Sequence, residues 1–420
     1  MLRIASKLSS RFSSSSTALT ANPLLPTRLS PIPSSSFRPF TNGLELEANM
    51  VVPDAIKMIN YALRHWRTDR SLGAYRMGLS VLKICITNEL TEGKEPKREN
   101  SKGMAMLAMS TLLFERGEYA EAIEKLEGVQ ELTNSYLGDD LAAVVADKCM
   151  KMVENQEKPL EYEERFVDYE AQFVRAKALK GLIELVNGNA DSAEDFFDKS
   201  LREKYCDGTA GLSYAEFLHK IGNYPMAKEV YRNVVQGAIE VKNAGRPYLG
   251  AGNMSVDELI VGSMFALGQL ELLMGNYSNA ECHLTQALSR AEEAYGDSKH
   301  PTVGVALTSI ALLYRRKAIQ EHSSSLLVQE GLYRKVIDIL KVPTMETESE
   351  DAAPLVDRSD IAALATGAYA EVLSVQEKRQ AEGEKMKNLA ESLWKHRWLS
   401  LANAIDSDKN IIDSRICRIL

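Results

Sequence analysis

Met264-Phe-Ala-Leu-Gly-Gln-Leu-Glu-Leu-Leu-Met-Gly-Asn-Tyr-Ser-Asn-Ala-Glu-Cys-His-Leu-Thr-Gln-Ala287 is the stretch that decides the fold. Apolar residues recur at helical spacing on both sides of Gly275-Asn276-Tyr277, which predicts two helices folded back on each other around that turn. Small residues (Gly268, Ala280, Ala287) fall where the helices must approach, and larger ones (Leu267, Tyr277, Leu284) fill the space between them. A glycine just past a helix C-terminus supplies the left-handed residue that ends it.

The pattern recurs along the chain. Gly117-Glu118-Tyr119 leads to Ala122, Gly188-Asn189-Ala190 to Ala193, and Gly222-Asn223-Tyr224 to Ala227, as Gly275-Asn276-Tyr277 leads to Ala280. Four positions beyond each alanine stands a large residue: Leu126, Phe197, Tyr231, Leu284. Seven beyond it come Val129, Ser200, Val234 and Ala287, and seven before each turn glycine come Ser110, Gly181, Ala215 and Gly268. From Gly188 to Gly222 the step is 34 residues. Four registers that agree at these positions resemble the tetratricopeptide repeat family.

That resemblance implies an all-α fold: a right-handed superhelical α-solenoid of stacked antiparallel helix pairs, the first helix of each pair lining a concave groove. It covers residues 55–340 and is strongest at 104–130 and 175–290. Ala62, Ala74 and Val81 fit a first repeat in which Asp69 replaces the turn glycine. Residues 301–340 place Ala311, Tyr314, Tyr333 and Val336 in register, with an excess of six residues around Ile319–Leu326. The connector from Ala294 through Gly296 to His300-Pro301 resembles that of kinesin-light-chain-type repeats. Residues 139–187 read as a degenerate repeat, with one helix near Asp140–Asn155 and another from about Tyr162.

Composition bounds what such a stack binds. The chain has 420 residues, 45% hydrophobic and 26% charged, as globular proteins do. Its net charge of −8 is uneven, because Arg3, Lys7, Arg11, Arg28 and Arg38 face no acid in the first 40 residues and leave −13 on the rest. A body that acidic repels phosphates, so nucleic acid is disfavoured as a partner. An organellar helical-repeat RNA-binding protein stays as the alternative, since the repeat step is close to that of pentatricopeptide repeats. The five cysteines are widely spaced, which suits reduced, mostly buried thiols. Every long apolar stretch is broken by Glu or Gly well before 18 residues, so no transmembrane segment is read.

Outside the repeats, residues 1–40 combine Ser, Pro and spaced Arg with Ile4, Leu8 and Phe12 on one helical face. This predicts a mitochondrial targeting presequence and a matrix address, with a chloroplast transit peptide as the rival. Arg38-Pro39-Phe40 resembles the Arg-x-Phe site of plant-type presequences. Residues 41–54 read as a spacer, 341–360 as an acidic loop, and Lys94–Lys102 as a polar interhelical loop. Residues 361–420 read as a C-terminal helical cap, with helices over Ile361–Glu382 and Lys385–Ala404. Trp394, Trp398, Leu401 and Ile405 share one face of the second helix, and no strand is predicted anywhere.

No catalytic, cofactor-binding or metal-ligating set emerges. The glycine-rich Gly245–Gly252 lacks the lysine and the strand–helix setting of a phosphate loop. Cys282 and His283 point about 100 degrees apart on one helix, the angle per residue of an α-helix, and the six histidines show no ligand spacing. The chain therefore reads as a non-enzyme that needs no cofactor and binds a protein or peptide. The family's groove positions, carried onto this sequence, include Arg175, Leu182, Glu216, His219, Phe265, Gln269, Thr308 and Arg315. Leu107, Thr111, Ala178, Leu182, Leu212 and Glu216 stand where chaperone-binding members carry a carboxylate clamp, so chaperone tails are disfavoured.

Overall fold

Four glycines shape four helical hairpins in the computed structural model. It describes residues 58–59, 61–63, 65–66, 71–87, 95–137, 160–197, 208–243, 255–296, 298, 300–321, 326–340, 342, 359–396, 398–406, 410–415 and 418–420. Gly117, Gly188, Gly222 and Gly275 have φ of 81, 83, 86 and 75°. The N–H of each glycine bonds the carbonyl three residues back (Phe114, Leu185, His219, Leu272). The next N–H reaches five residues back, to Leu113, Glu184, Leu218 and Leu272's neighbour Glu271, and all eight bonds span 2.8–3.2 Å. This Schellman pairing satisfies carbonyls that a helix end otherwise leaves open. A side chain in that left-handed conformation costs roughly 1–2 kcal/mol, hence glycine.

The helices are α1 (Leu72–Thr87), α2 (Glu95–Arg116), α3 (Tyr119–Leu137), α4 (Leu160–Val186), α5 (Ala190–Phe196), α6 (Gly208–Lys220), α7 (Tyr224–Asn243), α8 (Val256–Leu273), α9 (Tyr277–Tyr295), α10 (Pro301–Glu321), α11 (Leu326–Ile339), α12 (Ser359–Ser374) and α13 (Gln380–Leu393). From α2 onward they pack as consecutive antiparallel pairs, α2 on α3 through α12 on α13, each second helix also touching the first helix of the next pair. The first helices additionally touch one another in succession: α2, α4, α6, α8, α10, α12. The second helices form no comparable row among the described residues, so the first helices make the inner face of an α-solenoid.

Packing follows the sequence register. Ala122, Ala193, Ala227 and Ala280 are fully buried, as are Leu126, Tyr231 and Leu284. A Cβ on Gly268 would lie 2.7 Å from Leu284 Cγ, and one on Gly181 would strike the Phe197 ring. Those are the two large residues the spacing places opposite them. At the longer connector, Gly296 ends α9 in the left-handed conformation (φ 63°) and His300 stacks on Tyr295 with ring centroids 3.6 Å apart. Pro301 then opens α10, where a missing N–H costs nothing.

Several local readings change. Residues 95–102, expected as a loop, are the first turns of α2. The last pair is shorter than its periodicity suggested: α12 stops at Ser374 and α13 at Leu393. Arg379 shapes the turn between them by bonding Glu382, Glu330 Oε1 (2.6 Å) and Tyr369 Oη (3.1 Å). Trp394 leaves the helix with ψ 115°, and its indole donates to Leu399 O at 2.8 Å. Trp398 donates to Val186 O at 3.0 Å, a tertiary partner that stands where the helix was expected to continue. A short helix α14 (Leu401–Asp406) follows, then strands β1 (Ile412–Asp413) and β2 (Arg418–Ile419), paired antiparallel as Ile412 with Ile419 and Asp413 with Arg418.

Both described cysteines are free; Cys85 is half-buried, and Cys282 is exposed rather than buried as expected. Among the described residues no helix is long and apolar enough to cross a membrane. Residues 1–54, the helix expected at 140–155, the Gly245–Gly252 loop, residues 343–358 of the acidic loop, and Cys149, Cys206 and Cys417 lie outside the described residues.

Candidate interaction face

The inner face of α6 and α8 holds the chain's own C-terminal segment. Gln269, on α8 and nearly buried, pairs with the main chain of Ile412 on both sides: its Nε2 donates to Ile412 O and its Oε1 accepts from Ile412 N, each at 2.8 Å. A primary amide used this way presents the donor and acceptor that a neighbouring strand presents.

One helix over, Ser213 and Glu216 lie one turn apart on α6 and face the same segment. The Arg415 guanidinium reaches Ser213 Oγ at 3.1 Å, pairs with the Glu216 carboxylate, and bonds Asp413 Oδ2 at 2.6 Å. The side chains of Arg415, Glu216 and Asp413 are 9, 2 and 0% exposed, so the cluster is desolvated. Burial pushes the Glu216 carboxyl well above the usual carboxylate range; Arg415 opposes that shift and the second carboxylate, Asp413, adds to it. Gly262 on α8 borders the segment, where a Cβ would make ordinary contact with Ser414 Oγ at 3.4 Å and Arg415 Cγ at 3.7 Å.

Contacts continue along the row of first helices. Lys220, at the end of α6, donates to Leu420 O at 2.7 Å with its Nζ 4.7 Å from the Trp398 ring, and burial lowers its pKa to about 8. On α10, Arg315 bonds Ile405 O (2.9 Å), Asp406 Oδ1 (2.9 Å) and Glu371 Oε2 (2.8 Å). Ile411, Ile412, Ile419 and Leu420 are buried, and Leu420 N bonds Ile411 O at 2.8 Å.

Of the eight residues named from sequence, Arg315 reaches Ile405 and Asp406 of α14, Gln269 reaches Ile412 and Glu216 reaches Arg415. His219 lies one turn further along α6, buried, with Nδ1 3.4 Å from Tyr231 Oη; burial and then Lys220 depress its pKa to about 3. Leu182, Phe265 and Thr308 are buried in the core, the Thr308 hydroxyl bonding Gly304 O of its own helix at 2.9 Å. Arg175 is half-buried on α4.

Sequence reasoning missed Ser213, Lys220 and Gly262, and it missed the segment itself. The available signal was the pair of aliphatic clusters Ile411-Ile412 and Ile419-Leu420 around Asp413, Arg415 and Arg418, too short for a helix and basic against an acidic body. Among the described residues no group of three or more His, Cys, Asp or Glu side chains is placed to hold a metal ion.

Fold and face together define a stack of helical hairpins whose inner row grips an extended chain. No protein-family model matches this sequence, and comparison with curated proteins returns no match.

Proposed function

We propose that this chain is a non-catalytic interaction scaffold of the tetratricopeptide type, directed to mitochondria, that holds a segment of a partner protein on its inner row of helices. The observation that carries this reading is the pairing of Gln269 with both main-chain polar groups of Ile412. Main-chain recognition of an extended segment, with side-chain pockets beside it, is how domains of many folds bind peptides. The Arg415 site on α6 supplies such a pocket, selective for a guanidinium.

The mitochondrial address rests on the basic amphipathic pattern of residues 1–40. A reporter fused behind residues 1–60 tests it, and accumulation in plastids alone refutes it. Binding is tested by affinity purification from mitochondria with the wild-type chain and with a variant in which His219, Gln269 and Arg315 are all alanine, circular dichroism confirming its helix content. Loss of co-purifying proteins is the expected result. Retention of every partner refutes the assignment of binding to this face.

A further inference from the structure

We infer that the segment at residues 410–415 and 418–420 is a displaceable internal ligand, and that the α6–α8 face takes, in its place, an external segment of matching chemistry: an aliphatic residue, an acid next to it, and an arginine three positions after the aliphatic one. The inference rests on the scaffold reading above and adds what the face recognises and what already sits on it.

Three observations support it. The segment's partners lie 143 residues away at Gln269, 199 at Glu216 and 202 at Ser213, so the face recognises chemistry and not chain proximity. The β1–β2 hairpin has only two residue pairs. A two-stranded ribbon that short has little stability of its own and is ordered by the surface it lies on. Finally, the Arg415–Glu216–Asp413 cluster is buried and charged, a kind of contact that specifies register while contributing little net stability over apolar packing.

A tethered ligand competes at an effective concentration of roughly millimolar, so releasing it should unmask the site. The probe is a fluorescein-labelled peptide of residues 410–420, kept reduced. The protein is the full chain, wild type or Arg415→Glu, which sets a third carboxylate against Glu216 and Asp413 and expels the segment. Fluorescence anisotropy should show the peptide binding the variant at least tenfold more tightly than wild type. A peptide with glutamate in place of the arginine that corresponds to Arg415 should not bind, and adding Gln269→Ala should weaken the wild-type peptide again. Equal binding to both proteins, or none to a helical variant, overturns the inference.

Should Arg415→Glu fail to fold, hydrogen exchange on the wild-type chain decides. The amides of Ile412 and Leu420 should exchange at least tenfold faster than those in the middle of α8. Exchange in step with α8 means the segment is an inseparable part of the fold, and the inference falls. Peptide exchange observed with no partner captured would leave this inference standing and remove the scaffold reading. Partner capture on this face without peptide exchange would do the reverse.

Discussion

Replacing one glycine by alanine at two helical sites should move stability in opposite directions. A Cβ at Gly268 would lie 2.7 Å from Leu284 Cγ, 2.8 Å from its Cδ2 and 3.3 Å from its main-chain nitrogen. Ordinary contact begins near 3.4 Å, so a rotamer change in Leu284 relieves only part of the overlap and α8 must move off α9. Overpacking of this kind costs about 1–3 kcal/mol. Better helix propensity returns about 1 kcal/mol, so Gly268→Ala should destabilise by up to about 2 kcal/mol. Gly237, inside α7, has no atom within 4 Å of the equivalent position, and Gly237→Ala should stabilise by about 0.5–1 kcal/mol. The propensity gain cancels in the difference, which isolates the contact at about 1–3 kcal/mol. Urea unfolding of both variants measures it. Leu284→Ala supplies the control: costly alone, by about 2–5 kcal/mol, it removes the clashing atoms and should make Gly268→Ala favourable in that background. If Gly268→Ala and Gly237→Ala shift the unfolding midpoint alike, close approach of α8 and α9 is not what requires glycine.

Three further outcomes follow from particular side chains. Burial and then Lys220 hold His219 near a pKa of about 3, below the ~6.5 of an unfolded histidine. Its contribution is therefore complete above about pH 6.5 and lost as pH falls toward about 3, at up to about 1.4 kcal/mol per pH unit. In His219→Phe the fall in stability from pH 7 to pH 5 should be shallower by about 2 kcal/mol, and parallel pH profiles would contradict this. Gly275 has φ 75° and open space around it, so Gly275→Ala should cost about 1–2 kcal/mol through backbone strain alone, and Gly275→Asn less. Arg415→Ala leaves Glu216 and Asp413 buried side by side without their cation, a loss of about 3–5 kcal/mol in the docking of the C-terminal segment. Limited proteolysis should then cut after α14 well before it cuts the hairpins, and simultaneous cleavage would argue against a separable segment.

The repeat architecture was legible in the sequence because its determinants are local. A glycine, a polar residue and an alanine at fixed offsets specify a turn whose hydrogen bonds close within six residues, and the same offsets dictate which side chains face each other across it. Gly268 against Leu284 and Gly181 against Phe197 were readable on that ground. Periodicity failed where a non-local partner outweighed it. Trp394 and Trp398 fall on one helical face, yet the Trp398 indole N–H bonds Val186 O, far away in the chain, and the Trp394 indole closes on Leu399 O after the helix has ended. On the candidate face, position within the repeat named Glu216, Gln269 and Arg315, which bond residues of the C-terminal region, and it also named Leu182, Phe265 and Thr308, which are buried.

By itself, the sequence determined the helical hairpins, their register and their small-to-large packing pairs, since each depends on residues fewer than about forty apart. Only the tertiary structure decided what lies against the inner face. Arg415 meets Glu216 across 199 residues and Ile412 meets Gln269 across 143, and no periodicity records a contact between segments that distant. Those contacts exist because stacking brings the first helices into one row, whose exposed polar and apolar groups are satisfied by burying the chain's own last residues.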